Sequence, residues 1–256
     1  MKRVLTALLL IPFFCYIVLR APAWAFLVTV SAVALLCFHE FAHLAELHGI
    51  ARPNIFGYAA GLLVLLLPGK DGTFFVLIAL LAMSLALRAR EMSQALPDAA
   101  ALLLGVVYCF GSLRCGIELR AINVYWLFFA LSLNWVGDIA ALYIGRAFGR
   151  HKLAPEVSPA KSWEGSIGST LASVIYGAFF FHYLLPSAPL VSALGLTVVA
   201  NIAGQLGDLC ESALKRGAGV KDSGSLLPGH GGWLDRVDSS LFALPVVYFV
   251  VSNLGW

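Results

Sequence analysis

The chain has 256 residues, 60% of them hydrophobic and only 12% charged, with a formal net charge of +3. Soluble domains carry about 25% charged and 45–50% apolar residues. The composition and a mean hydropathy of +0.87 therefore exclude an ordinary water-soluble globule and point to a chain solvated mostly by lipid. The five cysteines, Cys15, Cys37, Cys109, Cys115 and Cys210, are odd in number and show no C-x-x-C spacing, which argues against a disulfide framework and a zinc knuckle.

A membrane-spanning helix needs about 20 mainly apolar residues. Nine stretches suggest one, centred near Leu10, Val30, Leu63, Leu80, Leu104, Leu131, Ile175, Val198 and Val246. The expected fold is all-α: a polytopic integral membrane protein with about nine transmembrane helices and short polar loops. The first stretch, with Lys2, Arg3 and the small residues Ala21 and Ala23, has the marks of a signal peptide. The apolar segments downstream favour a retained first helix instead.

Where the second stretch ends, His39 to His43 spell HEFAH, the H-E-x-x-H pattern of zinc proteases. Zinc binding there requires both histidines on one helical face and a third ligand from elsewhere. His48, His151, His182 and His230 sit in no recognisable ligand motif, and no L-D-G element occurs. No zinc is expected at His39 and His43, which are assigned to the membrane interface.

Residues 51–54, 68–72 and 88–98 break the apolar half, 1–125; the second half, 126–256, is more polar. Neither repeats nor a long linker divide the chain, so 1–256 is read as one membrane domain. With nine spans and the N-terminus inside, one side receives Lys2, Arg3, Arg52, Arg88, Arg90, Arg146, Arg150, Lys152, Lys161, Lys215, Arg216, Lys221 and Arg236. The other receives only Arg20, Lys70, Arg114 and Arg120. The positive-inside bias makes the first side cytoplasmic.

Eight of the fourteen acidic residues fall between Asp138 and Asp238. Ionisable groups within a membrane are costly and persist where they are paired, wetted or useful. Asp138 interrupts an apolar helix and needs a cation or a site. Lys161-Ser162-Trp163-Glu164-Gly165 forms a compact polar turn at a helix start. Asp208, Glu211, Ser212 and Lys215 fall at i, i+3, i+4 and i+7, on one helical face, either as a site or as a solvated helix end with an ordinary ion pair. A glycine-rich loop follows, with Gly217, Gly219, Gly224, Gly229, Gly231 and Gly232 among Lys215, Arg216, Lys221 and Arg236. Glycines let backbone N–H groups approach phosphate, so the segment looks like a polyphosphate cradle, although it lacks the P-loop pattern. Asp235 and Asp238 then open the last apolar run. They either complement a helix dipole or join Asp208 as oxygen donors for Mg²⁺, which uses one or two carboxylates together with waters and substrate phosphates.

From Glu211 to Asp238 the chain resembles the phosphatidate cytidylyltransferases, also called CDP-diacylglycerol synthases. The resemblance is carried by Ser212-x-x-Lys215-Arg216, Lys221-Asp222 and Pro228-x-His230-Gly231-Gly232-x-x-Asp235-Arg236-x-Asp238. Gly137-Asp138, Gly145-Arg146, Lys152-Leu153-Ala154-Pro155, Ser158-Pro159-x-Lys161-Ser162-Trp163-Glu164-Gly165 and Gly207-Asp208 are similar to earlier family elements. So is the opening Arg3-Val4-Leu5-Thr6-Ala7 with Ile11-Pro12. Trp233 departs from an aliphatic residue or Phe, and HEFAHLAELHG stands in place of an aromatic-rich W-E-W-like segment, of which only Glu40 follows the pattern.

The resemblance implies transfer of a cytidylyl group from CTP to phosphatidic acid, giving CDP-diacylglycerol and pyrophosphate in phospholipid biosynthesis at the cytoplasmic face of a bacterial inner membrane. It implies Asp208, Asp235 and Asp238 around Mg²⁺, possible room for a second cation, and Lys215 and Lys221 as catalytic cations. Ser212, Arg216, His230, Gly231, Gly232 and Arg236 would bind substrate, with Lys161 and Asp138 at the site wall or the lipid phosphate. A homodimer is implied and a nucleic-acid partner is not. Three alternatives stay open: a CTP-dependent enzyme acting on another lipid phosphate, a transporter using intramembrane acids, and the H-E-x-x-H protease. The charges gather at helix ends and no repeat is visible, unlike midplane transporter sites.

Overall fold

The computed structural model describes residues 12–52, 55–67, 73–87, 89, 91–226, 229 and 231–256. Leu10, Lys2, Arg3, Lys70, Arg88, Arg90 and the opening motif lie outside these residues. The described chain forms two compact units. One comprises Ala23–Arg114 with Leu214–Arg236; the other comprises Cys115–Ala213 with Val237–Trp256 and the described part of Leu8–Pro22.

The first unit is built on α2 (Ala23–Leu47), α3 (Ile55–Leu66), α4 (Thr73–Ala86) and α5 (Ala95–Gly105), the last running through a π-helical turn, Val106–Gly111, into the first residues of α6 (Ser112–Ile122), whose remainder belongs to the second unit. Helix α2 stops at a left-handed Gly49 (φ +78°), beyond which Ile50 N–H donates back to Ala45 O at 3.0 Å. This is the usual way glycine satisfies the last carbonyls of a helix. Phe38 is fully buried, its ring 4.9 Å from Tyr58 and 5.3 Å from Phe110. Gly57, Gly61 and Gly105 lie hard against Phe38, Phe41 and Phe110, so small residues bring these helices together. Arg114 donates to Val64 O and Leu65 O at the end of α3, covering carbonyls that the helix leaves orphaned.

In the second unit, residues 12–19 form α1, whose terminal carbonyl region is held by Arg120 (Nε to Val18 O, 2.9 Å). Then come α7 (Val124–Phe148), a hairpin of β1 (Lys152–Ala154) and β2 (Ser158–Ser162), α8 (Trp163–Leu184), α9 (Leu190–Gly217) and α10 (Leu234–Leu254). Asn123 caps α7 by accepting from Tyr125 N–H, and Ser162 caps α8 by accepting from Gly165 N–H, as N-cap side chains do. The hairpin is absent from the all-α reading. Its antiparallel strands pair Lys152 with Ser162 and Ala154 with Ser158, in a polar segment with no alternating apolar pattern to announce it.

Helix α8 is apolar outside and small or polar inside. Ile167, Leu171, Ile175 and Phe179 are exposed, whereas Gly165, Ser169, Ser173 and Gly177 are buried at a four-residue spacing. Such small-residue stripes let membrane helices approach closely. Asn201 of α9 donates to Ser169 Oγ (3.1 Å) and Ser173 Oγ (3.0 Å) and accepts from Thr170 and Gln205. Asn201→Leu is expected to lower stability by about 1 kcal/mol, the scale of interhelical hydrogen bonds in membranes. Denaturant unfolding in micelles measures it, and an unchanged midpoint would show the seam to be energetically idle.

Among the described residues, six helices are long and apolar enough to cross a membrane: Ala23–Leu47, Met92–Ile122, Val124–Phe148, Trp163–Leu184, Leu190–Gly217 and Leu234–Leu254. The stretches near Leu63 and Leu80 are helical but shorter. Ile55–Leu66 has 12 residues, about 18 Å at 1.5 Å per residue, against a hydrocarbon core of about 30 Å. The protein is an all-α integral membrane protein with one small hairpin.

Candidate active site

Two polar clusters stand at the helix ends. In the first unit, the last turn of α9 supplies Lys215 and the first turn of α10 supplies Asp235. Lys215 Nζ lies 2.5 Å from Asp235 Oδ1, with side chains only 11% and 5% exposed. The other carboxylate oxygen, Oδ2, accepts from Ser223 N–H (3.0 Å), Ser223 Oγ–H (3.1 Å) and Gly232 N–H (2.8 Å). The glycine-rich loop is thus folded around one carboxylate. Gly231 is left-handed at φ +78°, and a Cβ there would meet Asp235 Oδ2 at 2.6 Å; both facts demand glycine. Arg216 and Lys221 are exposed, Arg216 donating to Val220 O, and Arg236 is exposed on the first turn of α10.

In the second unit, Lys161 Nζ lies 2.6 Å from Asp208 Oδ2, with side chains 27% and 33% exposed. Ser212, one turn further along α9, donates to Asp208 Oδ1 at 3.3 Å. A cavity of about 240 Å³ opens beside the pair, lined by Asp138, Lys161, Ser162, Ser166, Gln205 and Asp208 among others. Asp138 is therefore exposed at a cavity wall rather than sealed in an apolar helix. A Cβ at Gly207 would strike the carbonyl of Asp238 at 2.7 Å, so α9 and α10 touch backbone to backbone next to Asp208. Asp238 accepts from Ser239 N–H at 2.7 Å.

The helical face Asp208–Glu211–Ser212–Lys215 does not act as one offered surface, because Glu211 is completely buried. His230 lies outside the described residues. Among the described residues, no three His, Cys, Asp or Glu side chains gather closely enough to hold a metal by themselves. Taken unit by unit, the acids are oxygen donors of the kind Mg²⁺ takes: Asp235 in the first, and in the second Asp238 and Asp208, the latter beside the Ser212 hydroxyl; Asp208 and Asp235 each already hold a cationic nitrogen. Mg²⁺ rarely uses an all-protein cage; substrate phosphates and waters complete its shell.

Two contributors escaped the sequence reading, Ser223 and Glu40. Glu40, the acid of HEFAH, is 2% exposed and reaches the glycine loop, accepting from Ser223 Oγ–H at 2.8 Å. An acid inside an apolar run was the signal available. His39 and His43 are exposed: His39 lies against Tyr58 and Arg52, and His43 faces Glu46 at 3.8 Å.

Apolar helix exteriors with ion-paired clusters at helix ends describe an integral membrane protein. The chain belongs to the cytidylyltransferase family, whose profile it matches over residues 1–254. It is 33% identical to the phosphatidate cytidylyltransferase of Staphylococcus aureus (strain COL) over 252 residues, covering 96% of each chain. It is 32% identical to that of Bacillus subtilis (strain 168), covering 98% of this chain and 97% of the relative. With that of Staphylococcus haemolyticus (strain JCSC1435) the identity is 34%, covering 98% and 99%.

Proposed function

We propose that this protein transfers the cytidylyl group of CTP to phosphatidic acid, forming CDP-diacylglycerol and pyrophosphate. The observation that carries this reading is the end-to-end match to the family and to relatives bearing that name. The helix-end clusters suit the chemistry. An oxygen of the lipid phosphate monoester attacks the α-phosphorus of CTP, and the bond from that phosphorus to the bridging oxygen of the β-phosphate breaks. The nucleophile is already ionised at neutral pH and needs no strong general base. The barrier lies in bringing two polyanions together, so positioning and charge neutralisation carry the catalysis.

Lys215, Lys221, Arg216 and Arg236 surround the loop with positive charge for the nucleotide phosphates. Gly231 and Gly232 would let the loop backbone come close to the phosphates, and His230 is a candidate side-chain donor to them. Lys161, beside the cavity that also exposes Asp138, is suited to the lipid phosphate. Asp208, Asp235 and Asp238 are the carboxylates offered to Mg²⁺, which would supply positive charge against the phosphates and the departing pyrophosphate. In this reading α1, α3 and α4 are shorter apolar helices of the same membrane domain, and the polar clusters face the cytoplasm from a bacterial inner membrane. Purified protein supplied with CTP, phosphatidate and Mg²⁺ is expected to form a CDP-lipid, and EDTA to stop it. No CDP-lipid under these conditions would overturn the reading; a preference for an isoprenoid or ether-lipid phosphate over phosphatidate would reassign the substrate.

A further inference from the structure

The acid of HEFAH is spent on the loop. From α2, 183 to 194 positions before its partners, the Glu40 carboxylate accepts from Ser223 Oγ–H (2.8 Å), Trp233 N–H (3.0 Å) and Leu234 N–H (2.9 Å). Ser223 is 1% exposed and Leu234 is fully buried. Asp235 grips the same two places from the other side, through Ser223 and Gly232 N–H. Two carboxylates therefore tie the start of the loop to its end. Each backbone N–H that Glu40 takes is one that the beginning of α10 leaves without an intrahelical partner, and the helix dipole there favours a negative charge. Glycines flank the carboxylate: a Cβ at Gly224 would meet Glu40 Oε1 at 2.6 Å, and one at Gly232 would overlap Oε2. Loop and acid are fitted to each other.

We infer that Glu40 is a positioning residue for nucleotide binding: its carboxylate fixes Ser223 and the first turn of α10, so that the glycine loop presents Asp235 and Lys215 to the CTP phosphates in one arrangement. The inference rests on the reading of this loop as the seat of the CTP phosphates. Glutamine at position 40 keeps the shape but replaces one acceptor oxygen with a donor. Whichever way the amide turns, an N–H or O–H that now has an acceptor loses it. The loop then samples conformations in which the Lys215–Asp235 pair is misplaced for the nucleotide, while the lipid-binding residues are untouched.

The test uses full-length Glu40→Gln, Ser223→Ala and the double variant in lipid nanodiscs. Deuterium uptake of the 221–235 segment is read alongside separate kinetics for CTP and phosphatidate. Glu40→Gln is expected to speed exchange in 221–235 alone. It should lower kcat/KM for CTP by about tenfold or more, the scale of a lost charge-assisted hydrogen bond, with the KM for phosphatidate unchanged. The two losses should be less than additive in the double variant, because Ser223 and Glu40 share one network, with Ser223 Oγ also reaching Asp235. Unchanged exchange with unchanged CTP kinetics would overturn the inference. So would accelerated exchange across the whole protein, with both substrates equally affected, which would make Glu40 a general fold determinant. Should Glu40→Gln fail to fold, the same outcomes are read from Ser223→Ala. Wild-type protein that makes no CDP-lipid would sink the catalytic reading of the loop, while the exchange measurement would still decide whether Glu40 clamps it.

Discussion

Asp235→Asn is expected to lower turnover by about 10²- to 10⁴-fold in a protein that still inserts and remains monodisperse. The carboxylate is 5% exposed and receives four contacts, one from Lys215 Nζ and three from Ser223 and Gly232. An amide has one acceptor oxygen. If it serves the loop donors, the new NH₂ faces the Lys215 ammonium; if it serves Lys215, the NH₂ faces Ser223 and Gly232. Either arrangement leaves a nearly buried ammonium or the three Ser223 and Gly232 donors without their acceptor. Removing one partner of a buried ion pair costs about 3–5 kcal/mol, which is about 10²- to 10⁴-fold if it falls on the transition state. Steady-state assays of CDP-lipid formation read the loss; retention of more than a tenth of wild-type activity would remove Asp235 from the catalytic cluster.

Asp208→Asn is expected to be the second most damaging change, through a different signature. The Lys161–Asp208 pair is about a third exposed, so its loss threatens the fold little; partly exposed pairs contribute about 0–1 kcal/mol. Its effect should fall instead on cation use and on the charge facing the lipid phosphate. Turnover should drop by about 10²-fold, and the Mg²⁺ concentration for half-maximal rate should rise, because an oxygen donor beside the Ser212 hydroxyl loses its charge. Titration of Mg²⁺ against rate at fixed CTP and phosphatidate tests this. A variant with reduced rate but the wild-type Mg²⁺ dependence would separate Asp208 from the metal.

The sequence revealed a membrane protein because composition and apolar run length are direct consequences of lipid solvation. Every apolar centre from Val30 to Val246 lies in a helix. What run length could not resolve is which helices are long enough to cross, since Ile55–Leu66 and Val76–Leu85 are apolar but shorter than a membrane span. The hairpin at Lys152–Ser162 was illegible because its strands have no buried face to impose alternation. In the glycine-rich segment, the closeness of Lys215, Asp235 and the glycines was legible because charged residues and glycines crowd one short stretch of sequence. Their partners were less so. Ser223 looked like one more loop serine, and Glu40 lay inside an H-E-x-x-H pattern. Its role depends on a contact across more than 180 positions, which no local spacing encodes. Asp208, Glu211, Ser212 and Lys215 lie on one helix, but Glu211 is buried, which their spacing alone does not reveal.

Position-labelled CTP tests the central claim most directly. Purified protein in phosphatidate-containing nanodiscs with Mg²⁺ would receive CTP carrying ³²P at either the α- or the γ-phosphate. Label should enter the lipid from the α-position only, while the γ-label leaves in pyrophosphate. Lipid labelled from the γ-position, or unlabelled from both, would contradict cytidylyl transfer.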